Sequence, residues 1–236
     1  MQSIVRLKGV TKDYGQGEVV VHALRGVDLS IQTGDFAAMA GPSGSGKSTL
    51  LNIIGGLDGP SSGEVEVEGR SIINLSGTKL SRLRRDRIGF IFQSYNLIPV
   101  LTAMENAEYV LMLQGVPTAR RREKVMALLK EVGLEGLENR FPRELSGGQQ
   151  QRVAIARAIA SEPALVLADE PTANVDSKTA AGLMDLMAQL NEEKGGTFLF
   201  STHDQAVMKR AKSLLLLKDG RIVYNGAPVE NLDEAE

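Results

Sequence analysis

The 236-residue chain is 42% hydrophobic and 24% charged, a balance that lets one α/β core with a sizeable insertion be buried without metals or disulfides. It has no cysteine, which excludes a disulfide scaffold, a Cys-ligated zinc site and a thiol nucleophile. Its 27 basic and 29 acidic residues leave a net charge of −2, which offers no global field for nucleic acid or anionic lipid, so a nucleic-acid partner is not expected.

Residues 1–10 lack the apolar centre of a signal peptide, and no apolar run approaches the roughly 18 residues of a membrane span, so any membrane role should be peripheral. Residues 4–10 alternate apolar and polar, as do Val27, Leu29 and Ile31, the period of half-buried strands. Residues 36–40 form an unbroken apolar run ending at Gly41, which predicts a strand buried on both faces. Residues 64–68 alternate again. The basic cluster Arg82, Arg84, Arg85 and Arg87 reads as a solvated surface face.

Another apolar strand is predicted over 88–92, after which the period becomes helical over 103–113 and 121–132, with Gly133 as a terminator. Residues 149–160 are predicted helical and 164–168 a buried strand. Asp176 or Ser177 caps a helix running to about Asn191, and Gly195-Gly196 breaks the chain. Strands follow at 198–200 and 214–217, the latter leading through Asp219-Gly220, a two-residue hairpin signal, into 221–224. The acidic residues 230–236 are expected to fray. Buried strands alternating with helices imply a mostly parallel sheet covered on both faces.

Gly41-Pro42-Ser43-Gly44-Ser45-Gly46-Lys47-Ser48 fits the phosphate-binding pattern G-x-x-x-x-G-K-[ST] and lies between a buried strand and helix-like residues 49–54. Glycines let backbone N–H groups converge on phosphate oxygens, and the helix adds its positive end. Lys47 is expected to reach the β- and γ-phosphates, Ser48 to ligate Mg²⁺, and Thr49 to complete the nucleotide contacts. A structural glycine turn would explain neither the Lys-Ser pair nor the preceding strand. The loop alone does not separate a kinase, a GTPase, a helicase and a transporter motor.

The strand 165–168 ends in Asp169-Glu170, delivering two carboxylates to the sheet edge beside that loop. Asp169 suits the surroundings of Mg²⁺ and Glu170 is placed to polarise an attacking water. Leu145-Ser146-Gly147-Gly148-Gln149 opens a helix, a second anion-binding helix start in one chain, and continues as Gln150-Gln151-Arg152-Val153-Ala154.

Together these segments resemble the ATPase subunits of ABC transporters, with residues 145–149 matching their signature sequence and the likeness running from Tyr14 to about Gly226. The resemblance implies that Tyr14 stacks on adenine, Gln93 senses Mg²⁺ and the permease, Asp176 lies in the loop crossing a dimer, and His203 of Ser201-Thr202-His203-Asp204 contacts the γ-phosphate. Taken alone, Tyr14 would be a core edge, Gln93 a surface residue and His203 a structural histidine; the ordered set reverses those readings.

It further implies an α/β P-loop NTPase fold with a mostly parallel core sheet and an N-terminal antiparallel β subdomain over about 1–93 and 163–236. A helical subdomain carrying the signature would be inserted at about 94–162.

Residues 42–52, Ile88-Gly89-Phe90-Ile91-Phe92-Gln93-Ser94 and Glu170-Pro171-Thr172 resemble the lipoprotein-releasing and macrolide-exporting branch. Ala173-Asn174-Val175-Asp176 departs from the Gly-Asn-Leu-Asp more frequent there. The expected protein is therefore an ATP- and Mg²⁺-dependent ATPase. It would dimerise head to tail with a second copy of itself on ATP and drive separate permease subunits from the cytoplasmic face of a bacterial inner membrane.

Three other readings lack support in the sequence. A soluble ABC ATPase of DNA repair or ribosome work would need a coiled coil, zinc ligands or a second cassette. A P-loop kinase would leave residues 145–149 and His203 unexplained, and the intact Glu170 argues against a purely regulatory nucleotide binder.

Overall fold

Period-two alternation at the start of the chain becomes an antiparallel sheet in the computed structural model, which describes residues 3–16 and 19–229. β1 (Ser3–Gln16) pairs with β2 (Val19–Gln32), and β4 (Ser62–Val67) and the two-residue β5 (Arg70–Ser71) extend the sheet in the order β2-β1-β4-β5. Val5, Leu7 and Val10 point inward while Arg6 and Lys8 face solvent. Both long strands exceed the predicted ranges, because residues 11–16 keep the ladder through register shifts without an apolar inner face to reveal it. Tyr14 is thereby carried on β1, opposite Val21.

The second sheet has the order β10-β9-β3-β8-β7-β6. β3 (Phe36–Ala40), β6 (Ile88–Ile91), β7 (Leu165–Ala168), β8 (Thr197–Ser201) and β9 (Ser213–Lys218) are mutually parallel, and β10 (Arg221–Gly226) returns antiparallel to β9. The Asp219-Gly220 hairpin is present, with positive φ at both residues. Successive side chains leave opposite faces of each strand. Ala37, Met39, Leu165 and Leu199 join an apolar cluster with β1, β2, β4 and α1 (Lys47–Ile54). Phe36, Ala38, Val166 and Phe198 join the other, with the helices of the opposite face.

Between β6 and β7 the described chain is helical: α3 (Ala103–Leu113), α4 (Thr118–Glu131), a 3₁₀ turn (Pro142–Glu144) and α5 (Gly147–Ile159). Thr102 and Glu105 close a reciprocal cap on α3. Asp176 caps α6 (Ser177–Lys194), accepting N–H bonds from Lys178 and Thr179, and Gly195 ends that helix in the left-handed conformation. The four-residue α7 (Gln205–Met208) follows β8.

Helix α2 (Gly77–Arg87) escapes the sequence pattern, since it buries none of its residues fully and no apolar stripe marks it. The basic cluster it carries lies on the surface, as expected, with three of its members partnered. Arg87 pairs with Glu68, Arg85 with Asp86 at 2.7 Å, and Arg84 donates to the Gly56 carbonyl at 2.6 Å. The acidic stretch 230–236 lies outside the described residues. Among the described residues no helix is long and apolar enough to cross a membrane.

Candidate active site

Strands β3, β8, β7 and β6 are neighbours in register, so the segments leaving their C-terminal ends line one edge of the sheet. These segments are the glycine loop after β3, Thr202-His203 after β8, Asp169-Glu170 after β7 and Gln93 after β6. The sequence motifs therefore converge because the parallel topology stacks their strands.

In the glycine loop, Pro42, Ser43, Gly44 and Ser48 are exposed whereas Gly41, Ser45 and Lys47 are buried. Gly46 caps α1 at φ +106°, and a Cβ there would stand 2.6 Å from the Ala23 carbonyl oxygen. The loop thus packs on β2 only with glycine at that position. Lys47 folds into the loop, its Nζ donating to the carbonyls of Gly41 (2.7 Å) and Pro42 (3.0 Å). Ser45 Oγ is buried in the same loop with no hydrogen-bond partner among the described residues. An orphaned hydroxyl beside a buried ammonium fits a loop that closes around a phosphate.

The two acids are joined by Ser201, a residue with no role assigned by the motifs. Ser201 Oγ donates to Asp169 Oδ1 at 2.6 Å and accepts from the Glu170 N–H at 2.9 Å. Glu170 is a non-glycine residue at φ +45°, a strained conformation held by that bond and by the turn bond from the Ala173 N–H. His203 Nδ1 lies 3.2 Å from Glu170 Oε1, with the imidazole largely exposed. Behind them, the buried Gln151 of α5 donates Nε2 to the Pro171 carbonyl at 2.6 Å, tying the signature helix to the residue after Glu170.

Ser146 caps α5 through a reciprocal box with Gln149: Ser146 Oγ accepts from the Gln149 N–H at 3.3 Å, and Gln149 Oε1 accepts from the Ser146 N–H at 2.9 Å. The N–H groups of Gly147 and Gly148 head the helix between them. Asp176 is exposed at the cap of α6, where the hydroxyl and N–H of Thr179 hold its carboxyl below the ordinary carboxylate range.

Tyr14 stands half exposed on β1. Its hydroxyl donates to Asp58 Oδ2 at 2.8 Å, and Lys12 Nζ lies 4.8 Å from the ring centroid while also donating to Asp58 Oδ1 at 2.8 Å. Burial and the bond to Asp58 push the phenol above its usual value. Burial works against the Asp58 carboxylate, but bonds from Lys12, Tyr14 and the Gly59 N–H hold it below the usual range. Gln93 is exposed two residues past β6, its carbonyl accepting from Asn174 Nδ2 at 2.9 Å.

The glycine loop, Asp169, Glu170, His203 and Gln93 thus share the sheet edge. Tyr14 is brought beside α1 by the other sheet, while Ser146–Gln149 open α5 on the helical side. Ser201, Asp58 and Gln151 are the contributors the motifs did not reveal; a Ser, an Asp and a Gln in isolation carry no signal until the fold gives them partners.

A family model described as "ABC transporter" matches residues 24–173. The chain belongs to the ABC transporter family. It is 48% identical over 223 residues to an uncharacterized ABC transporter ATP-binding protein, MJ0796 of Methanocaldococcus jannaschii, covering 93% of this chain and 95% of that one. It is 44% identical to the macrolide export ATP-binding/permease protein MacB of Hyphomonas neptunium, covering 93% of this chain but 34% of MacB. Among solved structures it superposes with a TM-score of 0.89 and 46% identity on a dimeric post-hydrolysis state of MJ0796 bound to ADP and Pi, covering 95% and 99% of the two chains. The α/β P-loop fold with its antiparallel N-terminal sheet is that of the family's ATPases. The ABC transporter chain is accordingly an ATP-binding, ATP-hydrolysing enzyme.

Proposed function

We propose that this ATPase works as a head-to-tail homodimer in which the glycine loop of one chain and Ser146–Gln149 of the other enclose each ATP. The observation that carries the reading is the capped, outward-facing start of α5: α1 already supplies a helix end for a triphosphate, so the second end needs a nucleotide held by another chain. The dimers described for MJ0796 support it.

Within each site, Tyr14 would stack on adenine, Gly41–Thr49 would wrap the phosphates with Lys47 on their β- and γ-oxygens, and Asp176 would lie at the crossing between chains. Among the described residues no three carboxylate, His or Cys groups are gathered to hold a metal by themselves. Ser48, Gln93 and Asp169 provide one hydroxyl, one amide and one carboxylate, which suits Mg²⁺ completed by phosphate oxygens and water. Bound there, Mg²⁺ supplies charge that neutralises the phosphates. Glu170 would accept a proton from the attacking water while His203 faces the γ-phosphate, and Ser201 keeps Asp169 and Glu170 in mutual register.

The second part of the proposal is transport. A cavity of about 340 Å³ lies between α2, β6 and α3, with Phe90, Phe92, Val110 and Leu113 in its wall and Arg84 and Arg157 beside them. A short amphipathic segment of a separate permease subunit fits that mixture, next to Gln93 and the helical residues 94–162, which we take as one subdomain. The export names of MacB and PvdT, whose ATP-binding and permease parts share a chain, support export or extraction of a lipoprotein, lipid, peptide or drug-like substrate. The subunit would then sit peripherally on the cytoplasmic face of a bacterial inner membrane.

Light scattering on the Glu170→Gln chain tests the dimer: ATP with Mg²⁺ should double the mass and ADP should not, and a persistent monomer at high concentration sinks the composite site. Co-purification from membranes should bring down an attached permease, and its identity would give the class of cargo.

A further inference from the structure

We infer that Tyr95 is a positioning residue: its hydroxyl clips the turn after Gln93 to the loop before Asp176, against the first turn of α5, so that the nucleotide site a chain owns and the helix start it offers its partner's nucleotide move together. The inference rests on the head-to-tail reading above.

Tyr95 and Asn96 are consecutive non-glycine residues at φ +59° and +49°, a left-handed pair that L side chains disfavour. Such a pair persists where its surroundings over-determine it. Both carbonyls are gripped by one side chain of the signature helix, Arg157, whose guanidinium donates to the Asn96 oxygen at 2.6 Å and the Tyr95 oxygen at 2.9 Å. The same turn exchanges two bonds with a single residue across the site. Tyr95 Oη donates to the Asn174 carbonyl at 3.1 Å, and Asn174 Nδ2 donates back to the Gln93 carbonyl at 2.9 Å. Two bonds to one residue fix orientation as well as distance.

The third element is α5 itself. A Cβ on Gly147 would stand 2.7 Å from Tyr95 Oη, so the phenol reaches the Asn174 carbonyl only because residue 147 has no side chain. One hydroxyl therefore meets the loop leading to Asp176 and the helix start headed by Ser146, on a turn whose first residue is Gln93. A tyrosine ring at a core edge would be served equally well by phenylalanine. The hydroxyl is the atom that needs another explanation, and its contacts run between segments assigned to two different nucleotides of the dimer.

Tyr95→Phe removes that oxygen and keeps the ring. Nucleotide affinity of the dilute monomer should stay within about twofold of the parent. ATP-driven association, measured by light scattering in the Glu170→Gln background, should weaken by about fivefold, the value of one neutral hydrogen bond. The Hill coefficient for ATP in the otherwise unaltered enzyme should fall towards one. A second variant guards against a purely structural effect: Gly147→Ala should impair ATP-driven association by striking the hydroxyl, and adding Tyr95→Phe should recover part of the loss. Unchanged association and Hill coefficient in Tyr95→Phe, or no recovery in the double variant, would overturn the inference while leaving the composite site standing. A parent chain that stays monomeric with ATP would sink both.

Discussion

His203 Nδ1 approaches Glu170 Oε1 to 3.2 Å across the ends of β8 and β7, so the two residues on which hydrolysis is expected to depend are already in contact. Glu170→Gln should retain ATP binding and lose between about a hundredfold and ten-thousandfold in turnover, the usual span for a general base. His203→Ala should also spare binding and slow hydrolysis. Lys47→Ala, by contrast, removes the buried cation of the glycine loop and should lose ATP affinity itself. Calorimetry alongside a phosphate-release assay separates these outcomes; equal losses of binding and turnover in His203→Ala would refute its assignment.

Ser201 offers a sharper test, since its hydroxyl touches Asp169 and the backbone of Glu170 at once. Ser201→Ala should lower kcat by roughly tenfold with little change in the KM for ATP, about the value of a hydrogen bond to a charged group. Ser201→Thr keeps the hydroxyl and should recover part of the rate. An alanine variant with parental kcat would mean that Glu170 is positioned by other contacts.

The cap of α3 gives a prediction about acid. The N–H and hydroxyl of Thr102 hold the Glu105 carboxyl below its ordinary range. A depressed carboxylate stabilises the fold above its unfolded value near 4.3 and loses that contribution as pH falls through the lower folded value. Glu105→Gln removes the charge, so the stability gap between parent and variant should be constant above about pH 5.5 and close below about pH 4. Urea titrations at several pH values measure the gap; one that widens on acidification would contradict the sign.

The buried parallel strands and the three motifs that meet at the sheet edge were legible because each carries a local signature: unbroken apolar runs, glycine spacing, and acids or a histidine ending a strand. The helix α2 was not, since no fully buried residue marks a stripe on it. The reach of β1 to Tyr14 was equally hidden, because its outer half buries nothing in a regular period. Ser201, Asp58 and Tyr95 escaped for a different reason. Each acts through a bond to a residue 31 or more positions away in sequence (Glu170, Tyr14 and Asn174 respectively), and sequence spacing does not display such pairs.

The alternating strands of the six-stranded sheet divide the interior into two unmixed compartments, one behind the glycine loop and one behind the signature helix. Apolar contacts are non-directional, whereas hydrogen bonds fix orientation as well as distance. The oriented bonds run along its rim, through Ser201, Gln151, Asn174 and Tyr95. The rim is thus where the molecule's joints are keyed, and the two interiors are its housings: swaps of similar volume inside them cost little stability, whereas loss of a rim bond removes a fixed orientation.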